Sequence, residues 1–235
     1  MFTKSFRFYD ALYRFKDYSA AADQLHDLVH EHDPRAESLL DIGCGTGKHL
    51  ERFNQWYRVE GLDLDPHMIA IARQRLPDVR LHEADMQDFD LGRTFDVVTC
   101  LFSSIAYVRT LGGLQRSVRR MASHVRPGGL LIVEPWVEPE QYRVGQVTAN
   151  LADEPDLKIA WMYTSEIEDH VSIFDITYLV GTPAGIDHFT ERHEMGLYTA
   201  DQYHGAFEAA GMDVVRQEEG PFGRGLYVAT QRQSG

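Results

Sequence analysis

Apolar positions recur along the first half of the chain in short pulses separated by stretches of helical spacing. Residues 18 to 32, YSAAADQLHDLVHEH, place Ala22, Leu25, Leu28 and Val29 on one helix face, and Pro34 stops that helix. The run 38–42, SLLDI, predicts a short buried strand, and its continuation GCGTG leads into a helix over 49–53. Pulses at 59–64, 79–82, 95–102 and 130–133 predict further strands, with helical stretches around 68–76 and 114–125 between them. Strand and helix thus alternate over the first 136 residues, the pattern of an α/β fold with a doubly wound, mostly parallel sheet.

After Trp136 the period shortens. KIAWMYTSEI, HVSIFDITYLV and IDHFTERHEMGLY alternate apolar and polar residues between Asp, Gly and Pro clusters, which predicts an inserted antiparallel sheet between residues 145 and 197. Helical spacing returns over 199–210, with Thr199 and Gln202 set for a capping box and Gly211 for a stop. Strands at 212–217 and 226–230 close the chain. The expected organisation is a main unit of residues 1–136 and 198–235, with residues 137–197 inserted as an antiparallel β lid over a substrate.

Composition narrows the class. An apolar share of 43% is ample for a packed core, so a disordered or fibrous chain is excluded. No uninterrupted apolar run has the length of a signal peptide or a membrane span, and a cytoplasmic protein without a membrane partner is expected. Cys44 and Cys100 have no CxxC or Cys/His spacing, so neither a disulfide framework nor a metal site is expected. The net charge of −13 opposes general attraction to nucleic acid and favours a small-molecule substrate. The sequence leaves the oligomeric state open, a homodimer included.

The candidate chemistry begins at Asp41-Ile42-Gly43-Cys44-Gly45-Thr46-Gly47, a strand feeding a glycine-rich turn that opens a helix. Glycines there let backbone approach a ligand closely. Asp63 stands twenty residues after Gly43 at the end of the second strand, where a carboxylate can accept from both hydroxyls of a ribose. Asp85 ends the third strand and can accept from an adenine amino group. A nicotinamide dinucleotide would use the same turn and the same acid at Asp63; Asp85 and the two terminal strands favour a sulfonium methyl donor.

These residues resemble the Rossmann-like class I methyltransferases that use S-adenosylmethionine. Further stretches are similar to the bacterial N,N-dimethyltransferases of nucleotide-linked amino sugars in desosamine and mycaminose biosynthesis: 16–18, 38–47, 61–64, 85–86, 102–105, 134–136 and 223–226. The resemblance spans nearly the whole chain. It implies cofactor contacts at Asp41, Gly43, Cys44, Gly45, Gly47, Asp63, Leu64, Met68, Asp85, Met86 and Leu101. It implies a dTDP-linked amino sugar as substrate, held by Tyr9, Tyr18, Phe102, Ser103, Ser104, Trp136 and Arg224. Three departures fall where substrate recognition is expected: Val137 and Glu138 where relatives have an aromatic, Phe222 in place of a serine, and a shorter segment between Tyr9 and Lys16.

Tyr107 and Glu134 are the candidate catalytic residues. Tyr107 follows the fourth strand and can orient or relay a proton from an amine; the alternative is a packed tyrosine with its hydroxyl outward. Glu134 ends the fifth strand and can hold a substrate amine or hydroxyl; the alternative is a carboxylate binding the loop of Trp136. Arg224 between two glycines can grip a pyrophosphate, or merely pair with Glu218 or Glu219. His124 is expected to be structural, and His170, His188 and His193 lie scattered in the inserted sheet. The rival functions are an O- or N-methyltransferase of another metabolite and a non-catalytic cofactor-binding or scaffold protein.

Overall fold

The computed structural model describes residues 3–232. Among them the strands form two sheets. The larger has the order β10-β11-β5-β4-β1-β2-β3, with β1 (Ser38–Ile42), β2 (Arg58–Asp63), β3 (Arg80–Glu83), β4 (Phe95–Cys100) and β5 (Val125–Val133) parallel. β11 (Leu226–Gln231) runs antiparallel to β5, and β10 (Met212–Gln217) antiparallel to β11. The strand order reverses between β1 and β4, and a ligand crevice forms beyond the strand C-termini at such a reversal.

Helices cover both faces because the parallel strands are apolar on both. α2 (Tyr18–His32), α3 (Lys48–Phe53) and α4 (Pro66–Arg75) close one face, where Leu25, Val29, Leu50, Phe53 and Ile69 pack on Leu39, Val97 and Ile132. α5 (Leu111–Ser123) and α6 (Ala200–Ala209) close the other, with Leu114, Val118, Met121 and Phe207 against Ile42, Val98 and Leu131. The expected capping box of α6 is formed: Thr199 Oγ1 accepts from Gln202 N, and Gln202 Oε1 accepts from Thr199 N at 3.0 Å. His124 is structural as expected, its Nε2 accepting from Leu91 N at 2.9 Å.

Gly61 in the middle of β2 is required by closeness rather than by backbone angle. A β-carbon there would lie 2.5 Å from Leu50 Cδ1 and 2.8 Å from Cys44 Sγ and Leu81 Cδ2. Three packed neighbours cannot all yield, so Gly61→Ala is expected to cost about 1–3 kcal/mol of stability. A melting temperature unchanged by this substitution would contradict such tight packing.

The second sheet, β6 (Val147–Glu154), β7 (Leu157–Glu168), β8 (Val171–Thr182) and β9 (Gly185–Gly196), is an antiparallel meander. Residues Phe8, Ala11 and Leu12 also pack against it. A 3-10 turn, Ser5–Phe8, continues into α1 (Tyr9–Leu12), and Leu12 lies in one apolar cluster with Ile159, Phe174 and Tyr178. No helix of the described residues is long and apolar enough to cross a membrane.

Candidate active site

A cavity of about 730 Å³ runs from the C-terminal ends of β1, β2 and β3 to the inner face of β7, β8 and β9. Its size suits a cofactor-and-substrate cleft. Residues of α1 and the segment after it, among them Tyr9, Tyr13, Phe15 and Lys16, line it from a third side.

The segment is fastened at both ends. The Asp10 carboxylate accepts from Thr46 Oγ1 at 2.7 Å and pairs with Arg75, tying α1 to the glycine turn. Buried Glu191 on β9 takes up the other end. It accepts from the backbone N–H groups of Thr3 at 2.8 Å and Ser5 at 3.0 Å, from Thr3 Oγ1 at 2.9 Å, and from Lys4 N and Ser5 Oγ. Burial alone would raise the Glu191 carboxyl; these bonds outweigh it and hold the group below its ordinary range.

At the glycine end, Gly43 has φ +70°, and a β-carbon on it would fall 2.7 Å from Ser104 Cβ, whereas Gly45 at φ +56° meets nothing within 4 Å. The turn folds back on β2 through Gly43 N and Cys44 N, which donate to Leu62 O at 2.7 and 3.0 Å. Asp63 shapes it further by accepting from Gly45 N at 2.8 Å and Asp65 N at 2.9 Å. Burial raises the Asp63 carboxyl against those bonds. Asp85 accepts from Gln87 N at 2.8 Å. Gly43, Gly45, Asp63, Leu64, Met68, Asp85 and Met86 all line the cavity, which fits a ligand carrying a ribose and an adenine.

An annex of about 30 Å³, room for a water molecule, continues beneath the turn. Asp41, Cys44, Leu101 and Tyr18 line it, and Tyr9, Phe102 and Ser104 line both spaces. Asp41 is pushed up to about 7 by burial and accepts from Thr99 Oγ1 at 2.7 Å. Gly47 lines neither space and packs instead on Ala72 and Leu76 of the α4 side.

Another part of the cavity wall is aromatic and cationic. Phe102 and Ser103 have φ of +52° and +61°, two successive non-glycine residues in the left-handed region. Glu134 holds this turn by accepting from Phe102 N at 2.6 Å, and Ser103 Oγ donates to Pro135 O at 2.6 Å. The Arg224 guanidinium donates to Ser103 Oγ at 3.2 Å, faces Glu134 at 3.8 Å and lies 4.7 Å from the centre of the Trp136 ring. Arg224 therefore does not pair with Glu218 or Glu219. Lys16 lies over Phe222 at 4.4 Å and Phe102 at 5.0 Å, its amine lowered by burial and by Arg224. Glu134 and Ser103 line neither space; they fix the Phe102 turn and Arg224, while Trp136, Arg224 and Tyr107 line the cavity.

Tyr107 sits on a 3-10 turn, Ser104–Val108, with its hydroxyl 3.0 Å from Nδ1 of His193 on β9. It is not the outward-facing tyrosine of the alternative reading. The sequence also missed Tyr13, Lys16, Trp161, Tyr163 and Tyr178 as lining residues. A signal for two of them was present: Trp161 and Tyr163 share one face of the KIAWMYTSEI alternation, and their rings stack 7° from parallel at 6.0 Å. No group of three or more His, Cys, Asp or Glu residues that could hold a metal ion occurs among the described residues.

Comparison with known proteins gives this geometry its chemistry. Residues 39–129 match the family model of a methyltransferase domain. The dTDP-4-amino-2,3,4,6-tetradeoxy-D-glucose N,N-dimethyltransferase of Saccharopolyspora spinosa is 43% identical over 94% of this chain and 90% of its own. The dTDP-3-amino-3,4,6-trideoxy-alpha-D-glucopyranose N,N-dimethyltransferase of Streptomyces venezuelae is 42% identical over 94% of each. Among solved structures, the S-adenosylmethionine-bound amino pentose methyltransferase CalS10 of Micromonospora echinaspora superposes with a TM-score of 0.89 at 42% identity, over 95% of this chain and 96% of that one. The methyl donor S-adenosylmethionine rather than a nicotinamide is thus the cofactor, and the chain belongs to the S-adenosylmethionine-dependent methyltransferases, in the family of these sugar N-methyltransferases.

Proposed function

We propose that the chain methylates the amino group of a dTDP-linked amino-deoxysugar, in two successive rounds. The observation that carries this reading beyond the family is the pairing of Arg224 and Lys16 on the aromatic wall of Phe102, Trp136 and Phe222. In so acidic a protein, two cations held at short range are what a pyrophosphate needs. Gly43, Gly45, Asp63 and Asp85 would hold the methyl donor, and the face of β7, β8 and β9 with α1 would close over the sugar. When bound, S-adenosylmethionine supplies a methyl group already activated by its positive sulfur. The chain's own residues then have to align an uncharged amine and exclude water.

The test is mass spectrometry of products from a panel of dTDP-sugars bearing amino or hydroxyl groups. Gains of one and two methyl groups on the amino sugars alone support the reading. Methylation of the hydroxy sugars, or of none of the panel, would replace it with another metabolite. Tyr107→Phe is expected to slow turnover about tenfold to fiftyfold, because alignment rather than strong base catalysis is at stake. A loss above a thousandfold would give Tyr107 an indispensable proton-transfer role.

A cytoplasmic setting is part of the proposal and accords with two buried free thiols. So is a homodimer, supported by Leu151, Met162, Leu179 and Ile186, large apolar residues left exposed on the second sheet. Light scattering from the purified protein would read its mass directly.

A further inference from the structure

The hydroxyl of Tyr107 has a fixed neighbour in His193, 86 residues away along the chain, and both side chains line the cavity. A phenol O–H is the stronger acid of the two and an unprotonated imidazole nitrogen the stronger acceptor, so the favoured bond runs from Tyr107 O–H to Nδ1. Burial acts in the same direction, raising the Tyr107 hydroxyl well above its ordinary value and pushing His193 down to about 4. Both groups are then neutral at neutral pH. Glu191, two residues from His193 on β9, does not compete for the phenol, since the N–H groups of Thr3, Lys4 and Ser5 occupy it.

The direction of this one bond decides what the phenol offers to an amine. A tyrosine free to turn its hydrogen toward the nucleophile would donate it to the nitrogen lone pair, the electrons that must attack the methyl group. A tyrosine whose hydrogen is committed elsewhere presents only oxygen lone pairs, and an amine can approach it only with an N–H. The nitrogen lone pair then points away from the phenol.

We propose that His193 is a positioning residue for methyl transfer: by accepting the Tyr107 hydrogen it makes the phenol oxygen an acceptor only, which orients the amine through an N–H and leaves its lone pair open. The proposal rests on the amino-sugar reading given above. It also gives that reading a natural end point. The primary amine and the monomethyl amine each carry an N–H for the Tyr107 oxygen; the second transfer yields a dimethylammonium whose last N–H is lost with its proton, and the neutral dimethyl amine then has none to offer.

The test is a pair of substitutions combined with Tyr107→Phe. His193→Phe removes the acceptor, whereas His193→Asn sets an amide oxygen close to the place of Nδ1. His193→Phe is expected to lower kcat for a dTDP-amino sugar about tenfold or more with the KM for S-adenosylmethionine unchanged, and His193→Asn to recover most of the loss. The double variant should be no slower than Tyr107→Phe alone, as for two residues acting through one bond. Fully additive losses, or a His193→Phe enzyme as fast as the parent, would overturn the proposal. A second readout needs no substrate. Nitrogen NMR of labelled histidine should show His193 as the neutral Nε2–H form with an Nδ1 signal that moves in Tyr107→Phe, and a proton on Nδ1 would overturn the proposal by itself. Should the parent enzyme methylate no amino sugar, the substrate reading falls and the nitrogen spectrum still decides the pair.

Discussion

Asp63→Ala is expected to weaken S-adenosylmethionine binding by about 3 kcal/mol, more than a hundredfold, while the protein stays folded. The carboxylate does two things at once. Its oxygens accept from the backbone N–H groups of Gly45 and Asp65, and as a cavity-lining carboxylate it can also accept from ribose hydroxyls. Removing it deletes both prospective ribose bonds and frees the turn that shapes the cofactor end. Asp63→Asn is not a mild control, because its amide NH₂ must face a backbone donor that the carboxylate now accepts from and leave it unpaired. Titration calorimetry with S-adenosylmethionine measures the loss, and an unchanged affinity in Asp63→Ala would remove Asp63 from the cofactor site.

That the glycine turn and the strand-end acids come together was legible because its logic is local. A strand, a glycine turn and acids at successive strand ends are all set by short spacing, and the structure brings Gly43, Gly45, Asp63 and Asp85 to one cavity. Gly47 shows the limit of spacing. It belongs to the same motif and has φ +79°, yet it faces Ala72 and Leu76, where it caps the start of α3. The alternating runs disclosed β7, β8 and β9, whereas β6, VTANLADE, offers little alternation, and most of its residues are exposed. Of the segment before Lys16 the resemblance supplied Tyr9, but its local structure was not legible. Its turns are too short to show a period, and what fixes them is the distant pairing of Asp10 with Arg75 and of Glu191 with the first N–H groups. Tyr107 could be singled out from its place after β4, but not its partner, since nothing local ties it to His193.

Arg224 is the clearest case of a partner that chain proximity misidentifies, and it leads to the second large effect. Glu218 and Glu219 are near in sequence but lie on the exposed side of the hairpin, where an ion pair gains little. Glu134 is 1% exposed, and a carboxylate so placed needs a cation. It finds Arg224 at 3.8 Å, while Ser103 Oγ and the Trp136 ring fix the guanidinium plane. Burial lowers the Arg224 guanidinium and Glu134 opposes that, so a fixed cation stands at the cavity wall with donors to spare. Arg224→Lys keeps the charge and loses the planar fork, its contact over the Trp136 ring and the simultaneous reach to Ser103 and a phosphate. The loss of charge-assisted bonds worth about 2 to 3 kcal/mol should raise the KM for the dTDP-amino sugar by roughly thirtyfold to more than a hundredfold. The KM for S-adenosylmethionine should stay within about twofold, since Arg224 touches Ser103, Glu134, Phe102 and Trp136 rather than Asp63 or Asp85. Arg224→Ala would confuse the measurement, because it leaves Glu134 buried without this partner and costs stability as well. Steady-state kinetics of Arg224→Lys with each substrate varied in turn separates the cases. Equal changes in both constants, or none in either, would make Arg224 a support for Glu134 alone and take the pyrophosphate grip away from it.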